Sequence, residues 1–283
     1  MPNFPIVDAH LHIWDPARLP YAWLDAHATL GRSFLLDDYE ASVGADAVEA
    51  MVFVECDIDA GHSANEIAWV DSVARVDSRI GAYVAHAPVD RGDAVLAELE
   101  ELQAFEKMRG VRRLIQSETK PGFCIQPDFI AGVRALERFE WSFDICILGW
   151  QMADAIALVD ACPKVSFILD HIGKPTIREG LLEPWRAQIH ELAERSNVVC
   201  KLSGVATEAD HVSWTRADLA PFIDTALQAF GTDRLMFAGD WPVATQAISP
   251  KAWIAEVDHS LAGLSLDEQK SIYRDVARRA YRF

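Results

Sequence analysis

Eight short apolar runs, separated by amphipathic stretches, leave few folds open to this chain. They are Phe4 to Asp8, Ala50 to Glu55, Ile80 to His86, Gly110 to Leu114, Phe143 to Leu148, Val165 to Asp170, Val198 to Leu202 and Leu235 to Gly239. Most lack the polar alternation of a strand with one wet face, so they read as parallel strands covered on both sides. The stretches between them read as helices. Ser63-Ala64-Asn65-Glu66 has the form of a capping box ahead of Ile67, Val70 and Val73 on one face. Pro184 opens a helix with Trp185, Ile189 and Leu192 as its buried stripe, and Leu219, Phe222, Leu227 and Phe230 line another that stops at Gly231. Strand and helix alternate over 283 residues with no low-complexity linker or short repeat. The expectation is an α/β fold, a (β/α)8 TIM-type barrel with room for distortion, as a single domain over 1–283.

The polar residues at the strand ends sharpen that reading. Runs end in, or just before, His10 and His12, Glu55, His86, Arg112 and Arg113, Asp144, His171, Lys201 and Asp240. The carboxyl ends of parallel barrel strands face one way, so these groups would converge on one mouth. A doubly wound sheet would spread them along an edge and usually carries a glycine-rich turn after its first strand. Here Asp8-Ala9-His10-Leu11-His12 occupies that place.

Charge narrows the partners. With 26 Lys+Arg against 43 Asp+Glu the net charge is −17, which repels phosphate backbones and argues against nucleic acid. No apolar run approaches the length of a membrane helix, and the first residues show no basic-then-apolar leader. The five cysteines form no C-x-x-C pair; an odd, unpaired set suits a reducing compartment, so a cytoplasmic protein is expected. Three of them lie in apolar runs and read as inert core residues.

His10-x-His12 is the sharpest local signal. Residues i and i+2 on an extended segment point the same way, so both imidazoles can face a metal ion or a polarised carbonyl. Asp240, in Phe237-Ala238-Gly239-Asp240-Trp241-Pro242, reads as a general base; its structural alternative is a helix cap, against which Trp241-Pro242 argues. In Val165 to Pro175, His171 follows the sixth run, Lys174 can reach an anionic or hydroxylated substrate, and Asp170 can orient a neighbouring imidazole. Glu55 either bonds substrate hydroxyls or pairs with Arg112 or Arg113. Arg112 and Arg113 are adjacent on a strand, so one should serve the pocket and the other the barrel wall. His86, Asp144, Trp14 and Trp241 complete the expected substrate contacts, the indoles as sugar-facing surfaces or plain packing.

His10-x-His12, Ile168-Leu169-Asp170-His171-Ile172-Gly173-Lys174-Pro175 and Phe237 to Pro242 together resemble the amidohydrolase superfamily, more narrowly its sugar-lactone hydrolases. Met51 to Cys56, Gly110 to Gln116 and Cys200 to Gly204 match the same branch, and the resemblance spans essentially the whole chain. It implies metal-ligand positions at His10, His12, His171 and Asp240. The positions of the bridging lysine or glutamate and fifth-strand histidine of binuclear members hold Arg112-Arg113 and Asp144, or Gly149-Trp150-Gln151. One zinc or other divalent ion at most is therefore expected, with metal-free catalysis as the alternative. The implied reaction is hydrolysis of a small-molecule sugar-acid lactone, with Asp240 as base. Decarboxylation on a similar barrel and non-catalytic sugar-acid binding are the rival readings.

Overall fold

The computed structural model describes residues 2–44 and 47–283. Among them, eight strands form one parallel sheet in sequence order: β1 (Ile6–Leu11), β2 (Val48–Val54), β3 (Ile80–His86), β4 (Met108–Arg112), β5 (Ser142–Ile145), β6 (Ser166–Leu169), β7 (Val198–Leu202) and β8 (Leu235–Phe237). The sheet curls back on itself. His12 N donates to Trp241 O at 2.8 Å and Asp240 N to His10 O at 2.9 Å, beside a parallel Leu11–Trp241 bridge. Helices surround the strands, giving the expected (β/α)8 barrel.

Two apolar layers follow from strand alternation. Val7, Ala9, Val52, Val54, Val84 and Met236 pack inside the barrel, where the last helix, Val276–Tyr281, adds Val276, Ala277 and Tyr281. Leu11, Phe53, Tyr83, Phe143 and Phe167 face the outer helices. Small residues inside and large ones outside suit a narrow barrel whose interior must also hold polar groups.

The strand runs read from sequence fall in the observed strands, with shifted ends. β1 begins at Ile6, after Pro5, and continues through Leu11, so His10 lies within the strand. Its pairing with β2 is irregular between Asp8 and Leu11. Ala9 and Leu11 share a parity yet join different apolar layers, and the break turns His10 inward. The capping-box expectation is overturned. His62, not Ser63, precedes the helix Ser63–Ala74, Ser63 Oγ donates to His86 O at 2.6 Å, and Glu66 is buried against Tyr21 and Cys56. Pro184 stands just before the helix Trp185–Ala193, and Gly231 interrupts Arg216–Arg234 at φ 64°. Cys56, Cys124, Cys146, Cys162 and Cys200 are free and buried. No helix among the described residues is long and apolar enough to cross a membrane.

Candidate active site

The carboxyl ends of the strands open into a cleft. His12, His171 and Asp240 lie at its base, Trp14 and Trp23 form one wall, and Arg112, Gln116 and Lys174 also line it. Its loops hold strained backbone: Asp57, His171, Ile172, Lys174 and Asp240 have φ between 45° and 55°, the left-handed region L residues seldom use. Close packing enforces part of this. A Cβ on Gly204 would stand 2.8 Å from His171 Cβ, so the glycine lets β7's loop press on that ring.

At the base, imidazole nitrogens surround one carboxylate oxygen. Asp240 Oδ1 lies 3.5 Å from His12 Nε2, 3.7 Å from His10 Nε2 and 3.9 Å from His171 Nε2. Burial opposes the charge on Asp240, but the imidazoles of His171, His12 and His10 outweigh it and hold the carboxyl below its usual range. His12 Nδ1 meets the Val54 carbonyl at 2.8 Å and must donate to it, which leaves an acceptor lone pair on Nε2. His171 Nδ1 lies 2.8 Å from Ser203 Oγ, and burial lowers this ring's pKa to about 4, keeping it neutral.

Beneath this layer lies a buried ionic network. Lys201 Nζ contacts Asp144 Oδ2 at 2.7 Å, Asp170 Oδ1 at 2.9 Å and His10 Nδ1 at 3.1 Å. Burial works against the ammonium, and the two carboxylates more than offset it, raising its pKa. Arg112 donates to Glu55 Oε1 at 2.5 Å, to the Glu55 carbonyl at 2.6 Å and to Asp170 Oδ2 at 3.3 Å. Glu55 is buried, and Arg112 overcomes that burial to keep it ionised.

The donor set fits one divalent ion. His10 Nε2 and His12 Nε2 are 3.0 Å apart, and each is within 3.7 Å of Asp240 Oδ1. Three ligands at about 2.0–2.2 Å from one ion span edges of roughly this length. An ion on His10 Nε2 requires the proton on Nδ1, beside Asp170 Oδ1 at 3.4 Å, so Lys201 Nζ at 3.1 Å from Nδ1 and Arg112 Nη1 at 3.3 Å from Nε2 would have to turn to their carboxylates alone. His10, Asp170 and His171 form a second compact group. There Lys201 and Arg112 already pair with the two Asp170 oxygens, so this group is far less suited to a cation.

Several expected contacts lie elsewhere. Arg113 points away from the cleft to Asp90 at 3.2 Å and Glu118 at 2.6 Å, while Arg112 lines it. Asp144 is sealed inside the barrel, accepting from Tyr281 Oη at 2.6 Å as well as from Lys201, and does not line the cleft. His86 lines a separate groove with Ser63, Asn65 and Arg91. Trp241 packs edge-on against Phe34 and Tyr39, whereas Trp14 does line the cleft. Glu55 stands behind Arg112, and His10 beneath His12, both fully buried. Trp23, Asp57, Gln116 and Cys146 line the cleft without having been singled out from sequence. Asp57 and Gln116 follow strand ends by a few residues, and Gln116 also closes the segment Gly110 to Gln116.

A family model described as amidohydrolase matches residues 7–283. The chain is 32% identical to an L-fucono-1,5-lactonase from Burkholderia multivorans, over 97% of this chain and 95% of that one. It is 29% identical to a 4-sulfomuconolactone hydrolase from Rhizobium radiobacter, over 83% and 75%. A crystal structure of a Burkholderia multivorans amidohydrolase with bound zinc superposes with a TM-score of 0.87 at 32% identity, covering 99% of each chain.

Proposed function

The chain belongs to the amidohydrolase family, and from that premise we propose that it hydrolyses the cyclic ester of a sugar acid to the open-chain acid. The observation that carries this reading is the ionised Asp240, encircled by the Nε2 atoms of His10, His12 and His171 at the base of a cleft. The lactonases among its relatives support the choice of a lactone.

Asp240 accepts a proton from water as the water oxygen bonds to the lactone carbonyl carbon. His12, 3.5 Å from Asp240 Oδ1, borders the water's position. With Ser203 donating to Nδ1, neutral His171 keeps its proton on Nε2 and offers it as a hydrogen bond to the developing oxyanion. Lys174 holds substrate oxygens, and Arg112, fixed by Glu55, lines the same cleft. The ring C–O bond then breaks, and the alkoxide recovers the proton from Asp240. When bound by His10, His12 and Asp240, with His171 beside them, a divalent ion supplies Lewis-acid polarisation and a more acidic water. The product is a hydroxy acid, which releases one proton per turnover at neutral pH.

A panel of aldonolactones followed by proton release tests this. Saturable turnover that falls with Asp240→Asn is expected. Carbon dioxide release from an aromatic acid with no lactone turnover would establish decarboxylation instead, and binding without turnover of either would establish a sugar-acid binder.

A further inference from the structure

Asp57 is the carboxylate in the cleft that the reaction above does not use. It follows β2 with φ 54°, and its amide donates to Glu55 Oε2 at 2.6 Å. Glu55 is itself clamped by Arg112 at 2.5 Å, so a buried ion pair fixes the turn. The Asp57 side chain is exposed to the cleft, and no described side chain donates to it. Glu55, Asp144, Asp170 and Asp240 each face a guanidinium, an ammonium or imidazoles. A residue held in strained backbone with an unused acceptor pair is what a ligand-reading position looks like.

Its surroundings define the ligand. The indole N–H groups of Trp14 and Trp23 are already spent on the Arg32 and Cys56 carbonyls, so these residues offer the cleft apolar ring surface. Gln116 Oε1 accepts from Lys174 at 2.6 Å, which leaves the Gln116 amide as a donor. The cations are offset: Arg112 by Glu55, and Lys174 by Glu208 at 3.9 Å. Nothing here supplies surplus positive charge for an anionic ligand.

We propose that Asp57 sets the substrate class of the cleft. It accepts hydrogen bonds from two hydroxyls of a neutral, polyhydroxylated lactone and repels lactones carrying an added carboxylate or sulfonate. This rests on the lactone-hydrolase reading for its substrate, not for the ligand chemistry.

Asp57→Asn tests it, because asparagine tolerates the left-handed backbone while it removes the charge and turns one acceptor oxygen into an NH2 donor. For a neutral aldonolactone, KM is expected to rise about tenfold or more, the worth of charge-assisted hydrogen bonds, with kcat within about threefold. For an unsubstituted δ-lactone KM should barely move, and for a sulfonated lactone kcat/KM should increase. Equal effects on the hydroxylated and unsubstituted lactones, or no effect on either, would overturn the proposal. If the wild type turns over no lactone, the reaction assignment fails alone. Calorimetry with a 1,5-anhydroalditol then decides Asp57. Binding by the wild type about tenfold tighter than by Asp57→Asn supports the role, while equal binding, or none by the wild type, refutes it.

Discussion

The carboxylate of Asp8 fills the space into which a side chain on Gly239 would have to grow. A Cβ on Gly239 would lie 2.3 Å from Asp8 Oδ2, and the Gly239 amide donates to Asp8 Oδ1 at 2.7 Å. Asp8 also accepts from Tyr39 Oη at 2.6 Å and from the His10 amide at 3.1 Å, so one buried carboxylate ties β1 to the end of β8 beside Asp240. Gly239→Ala should therefore cost about 2–4 kcal/mol of stability, as overpacking against backbone-anchored groups does. Gly263, with nothing within 4 Å of its would-be Cβ, should accept alanine with almost no change in melting temperature. Thermal melts of both variants check the contrast.

Asp240→Asn should lower lactone turnover by roughly 10²–10⁴. Asparagine keeps the size and tolerates φ 55°, so the melting temperature should stay close to that of wild type. Activity within a factor of two of wild type would remove Asp240 from its role as base.

Arg112 and Arg113 should separate cleanly. Arg112→Lys loses the planar fork that grips Glu55 through both side chain and backbone, and kcat/KM should fall at least about tenfold, or ~1.4 kcal/mol of transition-state binding. Arg113→Lys disturbs the partly buried pairs with Asp90 and Glu118, the bond to the Leu114 carbonyl and the contact with the Phe123 ring, all outside the cleft. It should leave kcat/KM unchanged and lower thermal stability slightly. Steady-state kinetics and melts on both variants decide it, and the reverse order would mean that β4 presents the opposite face.

Glu66 gives the fold a pH signature. Burial, reinforced by the Glu55 charge, raises its pKa to about 8 against hydrogen bonds from Tyr21 and the Cys56 amide and the pull of Arg112. A carboxyl protonated in the folded state but ionised in the unfolded one favours folding less as pH rises. Its contribution is complete below the unfolded pKa near 4.5 and lost as pH passes about 8. Glu66→Gln, which stays neutral, should flatten the decline in melting temperature between pH 5 and 8 and be the more stable form at pH 8. Parallel melting curves at both pH values would count against it.

Local pattern alone carried the architecture. Buried parallel strands are continuous apolar runs, and their polar final residues must share one end of a barrel, so the (β/α)8 fold and the convergence of His12, Arg112, His171, Lys174 and Asp240 on one mouth were legible in the residues themselves. Depth, register and loop conformation were not. Asp144 and Arg112 pair as neighbours on β4 and β5, yet one is sealed beneath the histidines and the other opens on the cleft. The break in β1 pairing that turns His10 inward has no local signature, and neither does the long-range approach of Lys201 to its Nδ1, 191 positions away. Asp57 reads in sequence as one more acidic loop residue; only the fold places it in the cleft with no described side chain donating to it, through a left-handed turn anchored by the Glu55–Arg112 pair. Periodicity acts over a few residues and the sequence displays it directly. Which charge meets which partner depends on how eight strands stagger around a closed barrel, and that is a property of the tertiary structure alone.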